Sequence, residues 1–523
     1  MATSYKRDRG PDTADAIVIG SGVGGLVTAA LLGAKLGKRA IVLERHYTAG
    51  GFTHTFRRPG YEWDVGIHYV GQVNDPGRGL GAMLAGVTDG SLQWASMGDV
   101  YDTIAIGGQR WEYVTGLERW RARMVEYFPR EAAGIDRYLQ LVRAATRSST
   151  GFFAEKAVPR AIAALGGGLM RAKFMKHARR TTGDVIGSLT SDRALAAVLA
   201  AQWPDYGLPP AQSSFAMHAI LTRHYFDGAY YPVGGASRIA ASMLPRIEAS
   251  GGRVLVDAEV QAILVEGGRA AGVRMADNRE LRASLVVSDA GVATTMRLLP
   301  AEAPGREGLD GVLARVKPSA AHLCLYVGLT RTAEDMKLPR SNVWWYPSTD
   351  LDGDLERFEA DPDAPIPLAF VSFPSAKDPA FATRFPGRAT VEVVTVVPYR
   401  WFERWAGAPW RRRGQEYDDL KTRFTARLLD ILYTIAPSTR GAVEVAELST
   451  PLSTRHFANF AQGEIYGLEH SPQRFGERDL QPRTKVPGLF LTGCDISTCG
   501  LGGALAGGYL TGSVIAGRPL FPR

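Results

Sequence analysis

The residues near the start of the chain that are best suited to chemistry are a run of glycines and a later acid. Gly20-Ser21-Gly22-Val23-Gly24-Gly25 is a G-x-G-x-x-G turn, and Glu44 lies about 20 residues beyond it. In such a turn Gly20 allows the tight bend, Gly22 lets the backbone approach a pyrophosphate, and Gly25 lets a helix pack on the preceding strand. Glu44 can accept hydrogen bonds from both hydroxyls of a ribose, and its charge disfavours a 2′-phosphate. This spacing predicts dinucleotide binding.

The segments around the glycine turn have the order needed to position such a site. The apolar run 16–19 predicts a buried parallel strand that leads into the turn. Helix-forming residues from Leu26 to Leu36 follow, and a second apolar strand, Ala40 to Leu43, ends at the acid. The free N–H groups and the positive dipole end of the helix would then face the phosphates. The order of strand, turn, helix, strand and acid predicts a Rossmann-type layout.

A second glycine pair favours a flavin over a nicotinamide. Gly50-Gly51 lies six residues after Glu44, a place where such a pair is typical of flavoproteins that bind FAD in an extended form. Near the other end of the chain, an apolar strand runs into Gly493-Cys494-Asp495, and a helix of small residues follows the run 500–504. We therefore expect FAD to join the two ends of the chain in one domain.

Two further runs are similar to a known family. Gly50-Gly51-Phe52-Thr53-His54-Thr55-Phe56 is followed by Asp64-Val65-Gly66-Ile67-His68-Tyr69. With the glycine turn and the C-terminal motif, these runs resemble the FAD-dependent family of phytoene desaturases, carotenoid isomerases and retinol saturases. The resemblance is strongest to the retinol saturase branch, and it covers both ends and the middle of the chain.

The resemblance implies FAD as the cofactor and a set of residues that would bind it. In that family, the residue at Val260 contacts the adenine and the acid at Asp495 bonds the ribityl or pyrophosphate region. The helix that starts near Gly503-Ala504 would aim its N-terminus at the N1/O2 edge of the flavin, where negative charge collects on reduction. The expected cofactor-binding residues are Gly20, Gly22, Gly24, Gly25, Glu44, Arg45, Gly50, Gly51, Val260, Asp495, Gly503 and Ala504.

The groups that would move a proton are harder to identify from the sequence. Flavin transfers hydride at N5, so the protein must place a C–H or C=C bond against it and can supply or accept a proton. The catalytic candidates are His68, Tyr69 and Tyr231. A single histidine in such a run is more often structural than catalytic, and Tyr69 could instead pack on the flavin ring. No second Rossmann unit for a nicotinamide is visible, so an external electron donor or acceptor is expected.

The sequence leaves several reactions open. Saturation of a double bond would need an external reductant, desaturation would need an acceptor, and isomerisation would need reduced flavin without net turnover. The runs around His54 and His68 favour saturation. The expected substrate is a long hydrophobic lipid with C=C bonds, either a polyene or isoprenoid or an unsaturated fatty acyl chain. The alternatives are a cis-trans isomerase of a carotenoid-like polyene, an amine oxidase on the same scaffold, and an assembly factor in which FAD is structural.

The whole chain predicts an α/β fold with a discontinuous Rossmann-type FAD-binding domain. We assign this domain to residues 14–75, 225–297 and 480–520, where the strand and turn patterns occur. Residues 76–224 form a mainly helical insertion that could associate with a membrane. Residues 298–479, with longer apolar strands, form a substrate-binding domain built on a mixed sheet.

Charge and composition limit the partners. The 523 residues carry a net charge of +8, but acids and bases are interspersed and no recognition motif is present, so nucleic acid is not expected. Residues 157–180 run from apolar to basic and suit contact with an anionic membrane, although an ordinary surface helix is the alternative. The first fourteen residues lack a secretory signal pattern, and three cysteines show no metal-site spacing. We expect a cytoplasmic protein without a transmembrane helix or a metal, peripheral at the inner face of the cell membrane.

Overall fold

The computed structural model describes residues 2–522, apart from the side chains at positions 160–162 and 164. Its strands in chain order are β1 Thr3–Ser4, β2 Ala16–Ile19, β3 Ala40–Leu43, β4 Thr55–Arg58, β5 Tyr61–Asp64, β6 Val70–Gly71, β7 Trp94–Ser96, β8 Val100–Ile106, β9 Gln109–Val114, β10 Ala229–Pro232, β11 Arg253–Val256, β12 Val260–Glu266, β13 Arg269–Met275, β14 Glu280–Arg282, β15 Leu285–Ser288, β16 Ala321–Leu329, β17 Asn342–Tyr346, β18 Ala369–Ser372, β19 Ala389–Val397, β20 Val443–Ser449 and β21 Leu489–Leu491.

The helices connect these strands and cover their faces. In chain order they are α1 Val23–Leu36, α2 Gly79–Thr88, α3 Leu117–Tyr127, α4 Ala132–Ala157, α5 Arg160–Ala178, α6 Thr182–Gly187, α7 Arg193–Ala200, α8 Phe215–Tyr225, α9 Ser237–Ala241, α10 Leu244–Ala249, α11 Val292–Leu298, α12 Glu307–Arg315, α13 Leu351–Ala360, α14 Pro374–Lys377, α15 Phe381–Arg384, α16 Gln415–Ile435, α17 Pro451–Ala458, α18 Pro472–Gly476 and α19 Gly500–Ala516.

A parallel sheet brings the two ends of the chain together, as predicted. Its six strands have the order β1-β11-β3-β2-β15-β21, and every neighbouring pair is parallel. Every residue of β2 is buried, because α1 and α19 cover one face and α11, α12 and the β12–β14 sheet cover the other. Strands buried on both faces are uniformly apolar, which explains the unbroken run 16–19. The Rossmann-type fold is therefore confirmed.

A second, mixed sheet forms the other half of the molecule. Its seven strands have the order β20-β16-β19-β18-β17-β8-β9, and only the β17–β8 pair is parallel. The sequence predicts strands in four apolar runs, 322–328, 343–346, 368–373 and 390–397, and strands β16 to β19 lie close to them. Strands β8 and β9, however, come from residues 100–114, which the sequence assigned to the helical insertion. That insertion is mainly helical, but it also contributes strands β8 and β9 to the mixed sheet.

Local chemistry explains one further difference from the sequence prediction. The residues from Ala236 to Ser250 follow a glycine pair and predict one continuous helix, but the structure has two short helices there, α9 and α10. Pro245 lies in the first turn of α10, where its missing N–H is tolerated but a preceding helical turn is not favoured. By contrast, the sequence from Gln415 to Ile435, which ends before Pro437, predicts one helix, and α16 spans these residues. Its apolar face at helical spacing packs under the mixed sheet.

Candidate active site

A cavity of about 980 Å³ runs from the glycine turn to the mixed sheet. We call the part around Gly20, Gly22, Glu44 and Asp289 the dinucleotide end. The opposite part, here called the apolar end, is lined mostly by hydrophobic side chains that include Phe153, Met217, Ile220, Leu221, Trp344, Leu368, Phe370 and Val396. This volume lies at the upper end of the range for small-molecule sites, about 300–1,000 Å³.

The glycine turn has the geometry of a phosphate cradle. Gly20 has a φ of +95°, a left-handed conformation that lets β2 turn sharply into α1. Gly22 is the N-cap of α1 and provides no side-chain cap. A Cβ on Gly24 would run into the backbone of Gly493, and one on Gly25 would run into the carbonyl oxygen of Gly20. The tight packing at these last two positions sets the start of α1 against the cavity, where its N–H groups can meet an anion.

Glu44 and Arg45 fix the far side of the dinucleotide end. The Glu44 carboxylate accepts hydrogen bonds from Ser21 N at 2.9 Å, Ser21 Oγ at 2.7 Å and His46 N at 2.7 Å. A carboxylate offers about four acceptor positions, so about one is left for a ribose hydroxyl. Both terminal nitrogens of Arg45 donate to the carbonyl oxygen of His456, at 2.7 and 2.8 Å. Arg45 therefore ties this end to α17, and both side chains line the cavity.

Asp289 is a cavity acid that the sequence analysis did not select. It follows β15 and lies against Gly22 and Gly25. The backbone N–H of Gly25 donates a hydrogen bond to its carboxyl. Burial, reinforced by the charges of Glu44 and Asp495, raises the pKa of Asp289 to about 8. The carboxyl is therefore mostly neutral at pH 7, and a pyrophosphate beside it would meet no extra negative charge. The signal available in the sequence was its place at the carboxyl end of a parallel strand.

The C-terminal motif completes this end of the cavity. Asp495 accepts from Val292 N at 2.7 Å and Leu468 N at 2.9 Å, so its carboxylate joins two distant segments while it also lines the cavity. Helix α19 begins at Gly500 without a side-chain cap, and residues 500–504 line the cavity. A Cβ on Gly503 would collide with the backbone of Thr498. The N-terminus of α19 thus presents its positive end to the cavity.

Together these groups fit a flavin dinucleotide. Helix α1 offers N–H groups for phosphates, Glu44 offers a carboxylate for a ribose, and α19 offers a positive helix end for an electron-rich ring edge. Gly50 and Gly51 both have positive φ, and the latter packs against Gly22. All twelve predicted cofactor-binding positions lie on or directly behind this wall, and Val260 lines it beside Glu259.

His68 lies on the cavity wall and is paired with a buried acid. Its Nδ1 is 2.7 Å from Oε2 of Glu392, whose side chain is fully buried on β19. Burial raises the pKa of Glu392 to about 8 and lowers the pKa of His68 to about 4, the latter helped by the charge of Lys377. With these pKa values the acid is mostly protonated at neutral pH and donates to Nδ1, so the neutral imidazole carries its own hydrogen on Nε2. In this state His68 can act as an N–H donor rather than as a base.

Tyr69 connects two further acids at the boundary between the two ends. Its ring stacks on Tyr225, with centroids 4.3 Å apart and planes inclined by 6°. Its hydroxyl lies 3.0 Å from Oδ2 of Asp102 and 3.1 Å from Oδ2 of Asp205. Asp102 is buried on β8, whereas Asp205 lines the cavity. Burial raises the pKa of Tyr69 well above its usual value, so the phenol stays protonated.

Tyr231, the third predicted catalytic residue, lies behind the cavity wall. Its hydroxyl donates to the buried carboxyl of Asp64, which also accepts from Ala236 N at 3.0 Å. Nearby, the buried Lys377 donates to the carbonyl oxygen of His68, at 2.9 Å, and to Asn342 and Ser372. These contacts support the wall that holds His68. The structure therefore brings His68 and Tyr69 to the cavity but leaves Tyr231 outside it.

Comparison with known proteins identifies the family. Residues 18–85 match a model of the NAD(P)-binding Rossmann-like domain. The chain is 37% identical to the all-trans-retinol 13,14-reductase of Macaca fascicularis, over 100% of this chain and 88% of that protein. The chain belongs to the all-trans-retinol 13,14-reductase family. It is also 26% identical to the prolycopene isomerase of Arabidopsis thaliana, over 86% of this chain and 74% of that protein.

The fold is shared more widely than the sequence. Cyclohexylamine oxidase from Brevibacterium oxydans superposes with a TM-score of 0.63 at 15% identity, over 97% of this chain and 98% of that one. Likeness at that identity concerns the fold alone. Membership of the family confirms the predicted retinol saturase-like branch, and it makes the chain an oxidoreductase of the carbon–carbon double-bond class with a flavin-type cofactor.

The helix expected to meet a membrane has an exposed face of unusual composition. On α5, Leu165 and Leu169 are 93% and 85% exposed, and Lys173 and Lys176 continue the same face. Phe174 belongs to the apolar residues of the run 157–180 that were expected to face a membrane, but it is buried against α4. The apolar residues at positions 161, 162 and 164 of the same run lie outside the described side chains. Across residues 2–522, no helix is long and apolar enough to span a bilayer.

Proposed function

We propose that the chain binds FAD in this cavity and adds two hydrogens across a C=C bond of a long polyene lipid, in the manner that the name of its retinol-reductase relatives describes. The observation that carries the proposal is the continuity of the cavity. One wall joins a dinucleotide cradle to an apolar compartment, and His68, Tyr69 and Asp205 line the cavity where the two meet. A lipid entering from the apolar end would have its chain desolvated along hydrophobic side chains.

The chain's own residues would hold and orient both partners. FAD, when bound, supplies hydride transfer at its N5. The N-terminus of α1 and Glu44 would hold the phosphates and a ribose, and the N-terminus of α19 would stabilise negative charge on the flavin ring. Met217, Leu221 and Phe370 would exclude water from the reacting bond. The N–H that His68 presents would hold a polar group of the substrate, such as a hydroxyl, in place.

The direction of the reaction depends on an external partner. Saturation requires a reductant, and the described residues include one dinucleotide cradle of Rossmann type, which FAD would fill. We therefore propose an external electron donor. Desaturation with an acceptor and cis-trans isomerisation remain the competing reactions, and the similarity to a prolycopene isomerase is the observation that favours the latter.

The amine oxidase alternative has less support from the cavity. An ammonium held by aromatic rings needs those rings far enough apart to admit it. Tyr69 and Tyr225 stack directly on each other at 4.3 Å between centroids, so nothing can enter between them. The apolar end is lined mainly by hydrophobic groups, which suit a lipid better than a cation.

A spectroscopic experiment tests the proposed function. The released cofactor is first identified by its mass. The holoenzyme is then reduced chemically under argon and mixed with all-trans-retinol, linoleic acid or cyclohexylamine. Reappearance of the oxidised flavin spectrum with retinol supports the proposal. Reappearance with linoleic acid alone would move the substrate to fatty acyl lipids, whereas bleaching of oxidised flavin by the amine would replace the proposal with an oxidase. No response to any compound would favour a structural flavin.

We further propose that α5 is the contact with an anionic membrane at the inner face of the cell membrane. Its exposed face carries two leucines followed by Lys173 and Lys176, at spacings of three or four residues, and the exposed Arg180 follows just beyond the end of the helix. Leucines would enter the acyl boundary while the cations meet phosphate headgroups. Helix α4, on which α5 packs, lines the apolar end with Thr146, Ser149 and Phe153. A membrane there would lie next to the compartment proposed for the lipid.

A further inference from the structure

Asp205 has a place in the cavity that the proposed function has not yet used. It ends the short turn 203–205 between α7 and α8, and it is one of the residues that line the cavity. The thiol of Cys499, the N-cap residue of α19, donates to the backbone carbonyl oxygen of Asp205 at 3.4 Å. The acid therefore lies where the helix of the dinucleotide end meets the apolar end.

Hydrogen counting shows that one acid beside Tyr69 must be protonated. The Tyr69 hydroxyl has one hydrogen, yet oxygens of Asp102 and Asp205 lie 3.0 and 3.1 Å from it. The hydroxyl can donate to only one of them. The other carboxyl must carry a proton itself and donate it to the phenol oxygen, since two carboxylates would face each other across a single hydrogen.

The remaining contacts decide which carboxyl carries that proton. Asp102 also accepts from Gln202 Nε2 at 2.7 Å and from Asn342 Nδ2 at 3.1 Å. Donors of this kind stabilise a carboxylate. For the Asp205 carboxyl, Tyr69 is the only hydrogen-bond partner among the residues described. Burial and the charge of Asp102 also raise the pKa of Asp205 well above its usual value. The proton therefore lies on Asp205.

We propose that Asp205 is the acid that protonates the substrate carbon during reduction of the double bond, with Tyr69 and the ionised Asp102 as the groups that hold its carboxyl in place. This role rests on the proposed function. One alkene carbon would take up the hydride that reduced flavin supplies. The π electron pair would form a C–H bond at the other carbon with the proton of Asp205, which would leave its hydrogen bond to the Tyr69 oxygen, and the O–H electron pair would stay on the carboxylate. A proton from solvent would return to Asp205 after the product leaves.

The two other titratable candidates at the boundary, His68 and Tyr69, are weaker acids than Asp205. The proton that His68 presents belongs to a neutral imidazole, which gives it up only to a very strong base. The Tyr69 phenol holds its proton still more tightly than in water, because burial penalises the phenolate. Asp205 is therefore the strongest acid of these three, and it lies among the residues that line the cavity.

The test uses the holoenzyme and three variants: Asp205→Asn, Asp205→Glu and the exposed control Asp363→Asn. Each is reduced chemically and mixed with all-trans-retinol under argon, and product with two added hydrogens is followed by mass spectrometry. Removal of a general acid costs about 10²–10⁴ in rate, so we expect Asp205→Asn to be at least about 100-fold slower than wild type. Asp205→Glu should recover part of that rate, and the control should keep it.

A readout independent of turnover accompanies the rates. In infrared spectra of the resting holoenzyme, Asp205→Asn should lose a protonated-carboxyl band that wild type and Asp363→Asn retain, while flavin content stays the same. The wild-type rate should fall as pH rises through the pKa of this acid, and the slow rate of Asp205→Asn should lack that fall. An active wild type together with an equally active Asp205→Asn, or an unchanged infrared band, would overturn the role of Asp205 alone. A wild type that adds no hydrogens would overturn the proposed function as well.

Discussion

The two ends of the cavity hold their shape by different means. At the dinucleotide end, the ligand groups are mostly backbone, because glycines and the first turns of α1 and α19 form the wall. At the boundary with the apolar end, the groups are side chains such as Glu392, Lys377 and Asp102. These come from strands and helices hundreds of residues apart. The first wall depends on local chain geometry, whereas the second depends on a buried polar network.

The largest effect should come from breaking that network. Lys377→Met would leave the carbonyl oxygen of His68 and the side-chain oxygens of Asn342 and Ser372 without their donor. Removing one partner of a buried charged network costs about 3–5 kcal/mol. We expect the free energy of unfolding in urea to fall by that amount. The control Lys485→Met removes an exposed pair and should change it by less than about 1 kcal/mol. Equal effects of both variants would contradict a special role for the network.

A pH experiment separates Asp289, an acid of the dinucleotide end, from the backbone around it. The pKa of Asp289 is raised to about 8 in the folded protein, against about 3.9 when unfolded. Between those values the unfolded chain loses the proton that the folded chain keeps, so this stabilising contribution, full below pH 4, is lost as pH rises toward 8. Relative to Asp289→Asn, wild type should lose up to about 3 kcal/mol of unfolding free energy between pH 5 and 7. Parallel pH curves for the two proteins would show that Asp289 ionises normally.

The third prediction concerns the backbone wall itself. Gly22 has an ordinary φ of −59°, so Gly22→Val acts through space rather than strain, and its Cβ would press on the Asp289 carboxyl at the phosphate cradle. We expect flavin affinity to fall by more than about tenfold, or 1.4 kcal/mol. The measurement is the flavin-to-protein absorbance ratio after dialysis. Gly187→Ala, where a Cβ meets open space, is the control. Full yellow occupancy of Gly22→Val would refute the assignment of this turn.

The smallest expected effect lies outside the cavity. Lys176→Gln removes one cation from the exposed face of α5, and each such residue contributes about 1 kcal/mol of attraction to an anionic surface. Binding to vesicles with one-fifth phosphatidylserine should weaken about fivefold, measured by co-sedimentation. Arg110→Gln, an exposed cation on β9, should leave binding unchanged. Equal losses of vesicle binding for both variants would mean that the whole basic surface attracts the membrane. No loss for either variant would show that α5 does not contact the membrane.

The same contrast explains what could be predicted from the sequence. The glycine turn, Glu44 and α1 follow one another along the chain, so their spacing alone predicts the cradle. Asp205 and Glu392 are isolated acids in unremarkable surroundings. They become part of a site only because folding brings Glu392, on β19, against His68 and brings Asp205, in the turn 203–205, against Tyr69. Sequence periodicity carries no information on such distant pairs.

The spacing of apolar residues also could not predict which side of α5 is exposed or that residues 100–114 form strands. Phe174 and Leu169 belong to the same apolar pattern, yet the first packs into the core and the second is exposed. Which side of α5 is covered depends on the tertiary packing of α4 and α18 against it, and the local sequence does not specify that packing. The two strands that residues 100–114 add to the mixed sheet have the same cause, since β8 pairs with β17 across more than 200 residues.

The most direct test of the central claim is the mass of the lipid product. The purified holoenzyme, with its flavin either oxidised or chemically reduced, is incubated with all-trans-retinol under argon, and the extract is analysed by liquid chromatography and mass spectrometry. We predict a product with two added hydrogens that forms only with reduced flavin. A product that has lost two hydrogens with oxidised flavin, or one of unchanged mass and altered retention, would contradict saturation and assign the cavity to a desaturase or an isomerase.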